Sequence, residues 1–152
     1  MSTFSQVYLR FVTAVKFRRA LIHPAWKEEL HRYVTGIVQK KGHKLLAVNT
    51  MPDHLHLFVG KRPHEAECDL MRDVKGDASA WINKRGFRDQ TFAWQEGYGV
   101  FSYTKELVPV VCRYIERQEE HHRKQTFRTE FVGLLDEFGV EYEDRWLWGD
   151  PE

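Results

Sequence analysis

Two strand-like runs, HKLLAVNT (43–50) and HLHLFVG (54–60), meet at the corner Met51-Pro52-Asp53. This junction constrains the fold more than any other feature, because so short a corner turns one strand straight into the next. Each run is flanked on its outer side by a helical stripe. Upstream, His23-Pro24 opens a helix from about Ala25 to Lys41 with Pro at its first position. Its residues Leu30, Tyr33, Val34, Ile37 and Val38 repeat at helical spacing, and Gly42 ends it. Downstream, a second helix runs from about Glu65 to Lys84, with Leu70, Val74, Ala78 and Trp81 spaced for burial and Gly86 as its cap. VYLRFVTAVKF (7–17) supplies a first strand, and the glycine-punctuated FAWQEGYGVFSYT (92–104) leads into a fourth near Val100–Tyr103. The order β-α-β-β-α-β is the split βαβ, ferredoxin-like order, an α+β fold with an antiparallel sheet and helices on one face. C-terminal helices follow, one over about 105–124 with Pro109 tolerated in its first turn, and a shorter one near 127–138 ending at Gly139. No repeat, low-complexity run or linker interrupts the chain, so residues 1–152 are expected to form one domain.

Composition excludes several classes. No segment approaches the ~18 consecutive apolar residues of a membrane span, and MSTFSQVYLRF lacks the pattern of a secretory signal. Cys68 and Cys112 have no CxxC spacing, which fits a reducing cytoplasm. The net charge of +1 hides an asymmetry. Residues 1–129 carry 22 Lys and Arg against 14 Asp and Glu, whereas the acidic segment 130–152 has one Arg against eight acids. A basic body is compatible with a polyanionic partner, as it is with an ordinary solvated surface.

His54 and His56 stand at i and i+2 of a strand, so both imidazoles project from one face, roughly 6.6 Å apart along it. That spacing lets both converge on one ion at about 2.1 Å from each nitrogen. It equally suits a strand with two polar side chains on its wetter face. On the helix over 105–124, Val108, Val111, Cys112 and Ile115 define a buried face. Arg113, Glu116, Arg117 and Glu120 lie opposite, and Tyr114, Gln118 and His121 share the edge between the two. An edge position allows a side chain to be held by packing and still reach a cleft. It also suits a boundary tyrosine with its hydroxyl in water.

These residues together resemble the HUH single-tyrosine transposases of small insertion sequences and their REP-associated relatives. The His–hydrophobic–His signature is similar to His54-Leu55-His56 within PDHLHLFV, and the tyrosine followed four residues on by glutamine is similar to YIERQEEHH, with Tyr114 and Gln118. FAWQEGYGVFSYT looks like the WQxGYGxFS segment between them, and TFRTEFVGLLDEFGVEYEDRWLW looks like the ending of one subgroup. FSYTKELVP departs from the pattern, with Tyr103 and Lys105 where many members carry small serine-rich positions.

The resemblance implies a transposase that cleaves and rejoins single-stranded DNA through a covalent 5′-phosphotyrosine intermediate. Its partners would be a hairpin-containing DNA strand and a second copy of the chain, whose helix often delivers the tyrosine. It implies Tyr114 as nucleophile, and His54, His56 and Gln118 as ligands of Mg²⁺ or Mn²⁺, with His121 as rival third ligand. A divalent ion would neutralise the non-bridging oxygens of a phosphodiester and align its leaving oxygen. Single-strand binding calls for basic and aromatic groups, here Lys16, Arg18, Arg19, Lys61 and Arg62, with Trp94, Tyr98 and Phe101 able to stack bases but read rather as core or dimer packing. Two alternatives come from other readings. A histidine-triad hydrolase would need a third alternating histidine where Phe58 stands. A non-catalytic or domesticated hairpin-binding protein could keep the same sheet as a platform without metal or nucleophile.

Overall fold

A computed structural model describes residues 3–86 and 90–147. Strands β1 (Tyr8–Ala14), β2 (Lys44–Met51), β3 (His54–Gly60) and β4 (Gly99–Tyr103) form one sheet in the order β2-β3-β1-β4, every neighbour antiparallel. Met51 pairs with His54, so Pro52 and Asp53 are the two turn residues of the β2–β3 hairpin. The turn is pinned from outside, since Pro52 and Asp53 carbonyls accept from Ile22 and Val15 backbone N–H groups.

Helices α1 (Lys27–Lys40) and α2 (Glu67–Arg85) occupy the two crossovers. Both pack on one face of the sheet, where Leu30, Val34 and Val38 of α1 and Leu70, Val74 and Ala78 of α2 meet Leu9, Phe11, Leu57 and Val59. The α+β, ferredoxin-like reading is therefore correct. Gly86 ends α2 in the left-handed region at φ 63°, a conformation glycine adopts without a Cβ penalty. The start of α1 differs from the expectation: Pro24–Trp26 form a separate 3₁₀ turn, with the His23 side chain accepting from Ala25 N–H, before α1 begins at Lys27.

His31 of α1 sits under the sheet edge, its Nε2 2.8 Å from Thr50 Oγ1. Burial pushes its pKa down to about 4, so the folded chain holds it neutral. An unfolded histidine titrates near pH 6.5, so between there and about pH 4 the unfolded state binds the extra proton. Stability is thus expected to fall as pH drops through that window, by up to about 3 kcal/mol from this group. Denaturant melts of wild type and His31→Gln between pH 7 and 4 check this, the variant losing less on acidification.

The second face of the sheet is covered by the C-terminal half. The expected helix over 105–124 is broken into a 3₁₀ turn at Lys105–Leu107, α3 (Val108–Glu116) and α4 (Gln118–His122). Arg117, at φ −100° and ψ 27°, is the joint. Asn49 of β2 supplies the physical reason. Its side-chain amide donates to the Ile115 carbonyl at 2.8 Å and reaches that of Glu116 at 3.5 Å, acceptors a continuous helix would offer residues 119 and 120. Val111 and Ile115 pack on Phe58 and Ala47 as the spacing predicts. Helix α5 (Phe127–Glu137) then lays Phe127, Phe131, Leu134 and Leu135 against Val12, Ala14 and Phe101.

The α5 contact depends on Gly99, where a Cβ would lie 2.7 Å from Phe131 Cε2 and 2.9 Å from Cζ. Gly99→Ala is expected to push α5 outward and cost about 1–3 kcal/mol, read from urea melts.

Candidate functional site

Strand β3 alternates as its sequence requires. Leu55, Leu57 and Val59 are buried, the latter two among the helices α1 and α2, while His54, His56 and Phe58 project from the other face. That face is not wet. The C-terminal helices cover it so fully that both histidines are 0% exposed. Two buried imidazoles demand partners, and those partners build the site.

His54 Nδ1–H donates to Asp53 Oδ1 at 2.7 Å. Burial alone would raise the Asp53 pKa, but His54 and the Arg18 guanidinium, 3.7 Å away, more than offset it and hold the carboxylate ionised. The proton on Nδ1 leaves His54 Nε2 with its lone pair, and that atom is buried without a hydrogen-bond partner. For His56 the pattern is reversed. Arg10 of β1 can only donate, and its Nη2 lies 3.1 Å from His56 Nδ1. The ring proton is then on Nε2, which donates to Glu130 Oε1 at 2.9 Å. Burial and the adjacent Arg10 charge lower the His56 pKa to about 3, so the ring is neutral.

Tyr114 and Gln118 reach the same place from α3 and α4. The Tyr114 hydroxyl donates to Glu130 Oε2 at 2.6 Å and accepts from Gln125 Nε2 at 3.3 Å. The Arg10 guanidinium lies 4.9 Å from the centre of its ring. Burial and the Glu130 carboxylate push the phenol above its ordinary range. The kink at Arg117 turns Gln118 inward, to 0% exposure, with Oε1 accepting from His122 Nε2 at 3.0 Å and Nε2 lacking a partner. His121, the rival third ligand, lies elsewhere. It stacks on the Tyr114 ring at 4.0 Å, and the kink brings His122 to the histidine pair instead.

Glu130 and His122 are the residues sequence reasoning missed. Nitrogen and oxygen atoms of His54, His56, His122 and Glu130 lie within 4.8 Å of one another, a set that could hold a metal ion. Burial would raise the Glu130 pKa, but hydrogen bonds from His122, His56 and Tyr114 outweigh it and keep the carboxylate charged. A signal for Glu130 was present: it interrupts the apolar stripe Phe127, Phe131, Leu134 of its own helix. For His122 there was none, because an unbroken helix puts His121 on the better face.

The five basic residues expected at DNA divide into two groups. Lys16 and Arg62 are exposed and Arg19 half-buried. Lys61 is buried, its ammonium donating to the carbonyls of Arg62 and Glu65 and lying 3.3 Å from Glu67, so it ties the β3–α2 connection together. Arg18 is 4% exposed, facing Asp53 and packed 5.5 Å from the Phe127 ring centre. Lys16 and Arg19 flank Phe17, which is 47% exposed and held at φ 57°. Trp94, Tyr98 and Phe101 pack against the two cores, as read from the sequence. Beside Arg18 and Asp53 a cavity of about 530 Å³ opens, lined further by His122, Arg123, Lys124 and Phe127. Among the described residues no helix is long and apolar enough to cross a membrane. Residues 148–152 of the acidic segment lie outside the described residues.

Known proteins are similar to this chain in sequence and fold to different extents. The chain is 20% identical over 120 residues to ISDra2 transposase TnpA of Deinococcus radiodurans, covering 76% of this chain and 86% of that protein. A solved structure assigned as a transposase from Deinococcus radiodurans R1 superposes with a TM-score of 0.62 at 20% identity, over 78% of this chain and 95% of that one. A REP-associated tyrosine transposase bound to a REP hairpin superposes with a TM-score of 0.60 at 14% identity, over 100% of this chain and 94% of that one. At these identities the solved structures speak for the fold. The family itself rests on a match of residues 3–118 to "Transposase IS200 like", a span that includes the histidine pair, Tyr114 and Gln118. The chain belongs to the IS200-like transposases, the HUH single-tyrosine family.

Proposed function

We propose that the chain cleaves and rejoins single-stranded DNA by metal-assisted attack of Tyr114 on a backbone phosphorus. The observation that carries this is one carboxylate shared by the nucleophile and the histidine pair. Glu130 accepts from the Tyr114 hydroxyl at 2.6 Å and from His56 Nε2 at 2.9 Å, in a buried site of a single chain. This also supports action of Tyr114 in cis, on the site of its own chain.

The donor set fits a divalent ion. His54 Nε2 and Gln118 Nε2 are buried and unpartnered, which a polar site normally avoids. His54 has its other nitrogen fixed by a carboxylate, the arrangement that orients a metal-ligating histidine. His54 through Nε2, His56 through Nε2 with its ring proton moved to Nδ1 and Arg10 turned aside, and Gln118, turned to present its oxygen, would hold Mg²⁺ or Mn²⁺. The ion would neutralise the scissile phosphate and favour the departing oxygen. The protein's own part is then to deliver the phenol. Tyr114 is clamped between Glu130, Gln125 and the stacked His121, with Arg10 beside the ring. Its oxygen bonds to phosphorus, the bond from phosphorus to the 3′ oxygen breaks, and the phenolic proton is in balance carried to the 3′ hydroxyl. The 5′-phosphotyrosine conserves the bond energy for rejoining, so no nucleotide cofactor is required.

Arg10 would present a positive charge that needs no metal, and the half-exposed Phe17 with Lys16 and Arg19 would meet the approaching strand. A hairpin-containing strand is the substrate class, supported by the hairpin in the similar REP-associated structure. A homodimer is the proposed assembly, giving two cuts per particle from one tyrosine each. The test is incubation of the chain with a labelled hairpin-containing single strand and Mn²⁺, followed by a denaturing gel. A protein-linked DNA band is expected. Hairpin binding without any linked product would leave a binding protein and overturn the enzyme.

A further inference from the structure

The match to the family ends at residue 118, yet the buried site continues into α5. Glu130 is a carboxylate on the apolar side of that helix, its side chain 2% exposed. Burying a charge there is costly unless it is paired, and Phe131 and Leu134 show what the same face otherwise carries. The pairing is concentrated on one atom. Oε1 lies 2.9 Å from His56 Nε2, 3.3 Å from His122 Nε2 and 3.8 Å from His54 Nε2, the last of which has no hydrogen-bond partner. An ion with nitrogen and oxygen ligands at about 2.1 Å sets neighbouring ligand atoms roughly 3 Å apart. His56 Nε2 and His122 Nε2 lie about Oε1 on that scale and His54 Nε2 somewhat beyond it, while Oε2 faces away to the Tyr114 hydroxyl.

We propose that Glu130 is a direct ligand of the divalent ion and ties that ion to the nucleophile through its second oxygen. The proposal rests on the reading of His54 and His56 as ligands. It changes the chemistry of the site. Two histidines and a glutamine supply no charge, whereas a carboxylate adds one and favours hard, oxygen-seeking cations such as Mg²⁺ and Mn²⁺. It also makes the segment beyond residue 118 part of the active centre rather than a cover for the sheet.

Mn²⁺ binding to the purified full chain without DNA tests this, followed by the electron paramagnetic resonance signal of free Mn²⁺. Wild type is compared with His56→Ala, Glu130→Gln and Glu130→Asp, and melting curves without metal report whether each variant folds. Glu130→Gln keeps shape and hydrogen bonding but loses the charge, and is expected to weaken binding by about tenfold or more, as His56→Ala does. Glu130→Asp keeps the charge on a shorter stem, and is expected to fall between that variant and wild type. It decides the matter if Glu130→Gln does not fold. Wild-type affinity in the folded Glu130 variants, with His56→Ala impaired, would overturn Glu130 as ligand and leave the histidine pair standing. Wild-type affinity in His56→Ala as well, or no saturable binding by wild type, would overturn both readings.

Discussion

Tyr114→Phe is expected to abolish the covalent DNA adduct while hairpin binding stays within a few-fold of wild type. The substitution removes one oxygen and keeps the ring. The stack on His121 at 4.0 Å and the Arg10 guanidinium at 4.9 Å both survive it. What is lost is the atom that would attack phosphorus, together with one hydrogen bond to Glu130. Losing a nucleophile costs on the order of 10⁴-fold or more in rate, whereas the lost hydrogen bond costs about 1–3 kcal/mol of stability. Denaturing gels after incubation with hairpin-containing DNA and Mn²⁺ read the adduct, and filter binding reads affinity. An adduct that persists in the variant removes Tyr114 from the role.

The second large effect is expected from the histidine pair. His54→Ala and His56→Ala should each lose cleavage with Mg²⁺ or Mn²⁺ while keeping hairpin binding. His56→Ala should also loosen the fold more than His54→Ala. The His56 ring stands between Arg10 at 3.1 Å and Glu130 at 2.9 Å, and its removal leaves two buried charges with a gap between them. Among the described residues the His54 ring is hydrogen-bonded to Asp53, and that carboxylate keeps Arg18. Cleavage gels across a metal titration, with melts of the same proteins, separate the two effects. Undiminished cleavage by wild type in excess chelator would sink the metal assignment.

Much of this architecture was legible because local pattern and tertiary environment agree. The stripe Leu30, Val34, Val38 faces the sheet as helical spacing predicts, and the alternation in HLHLFVG sends Leu57 and Val59 one way and the histidines the other. The pattern failed where a distant residue intervenes. Nothing in RYIERQEEHH reveals that Asn49, 66 residues earlier than Ile115, takes over carbonyls at the end of α3 and ends the helix there. With the kink, helical angles stop predicting faces. Gln118 goes from the edge to full burial, and His122 replaces His121 beside His54. Lys61 was misplaced for a related reason. Its ammonium folds back onto carbonyls of its own connection, an outcome set by loop geometry that residue type does not encode. The burial of His54 and His56 was unreadable because it depends on helices far along the chain.

The spread of the site along the sequence has a consequence for the order in which the molecule comes together. The His56–Glu130 contact closes a loop of 74 residues and the Arg10–Tyr103 contact one of 93, whereas α1 and α2 pack through connections local to the sheet. Closing long loops is entropically slow and must be repaid by contacts made late. The hairpin and its two helices can therefore condense while the second face of the sheet is still bare. The proposed reactive centre would then arise last, when α5 docks and brings Glu130, so in a chain emerging during synthesis the scaffold would precede the site built on it.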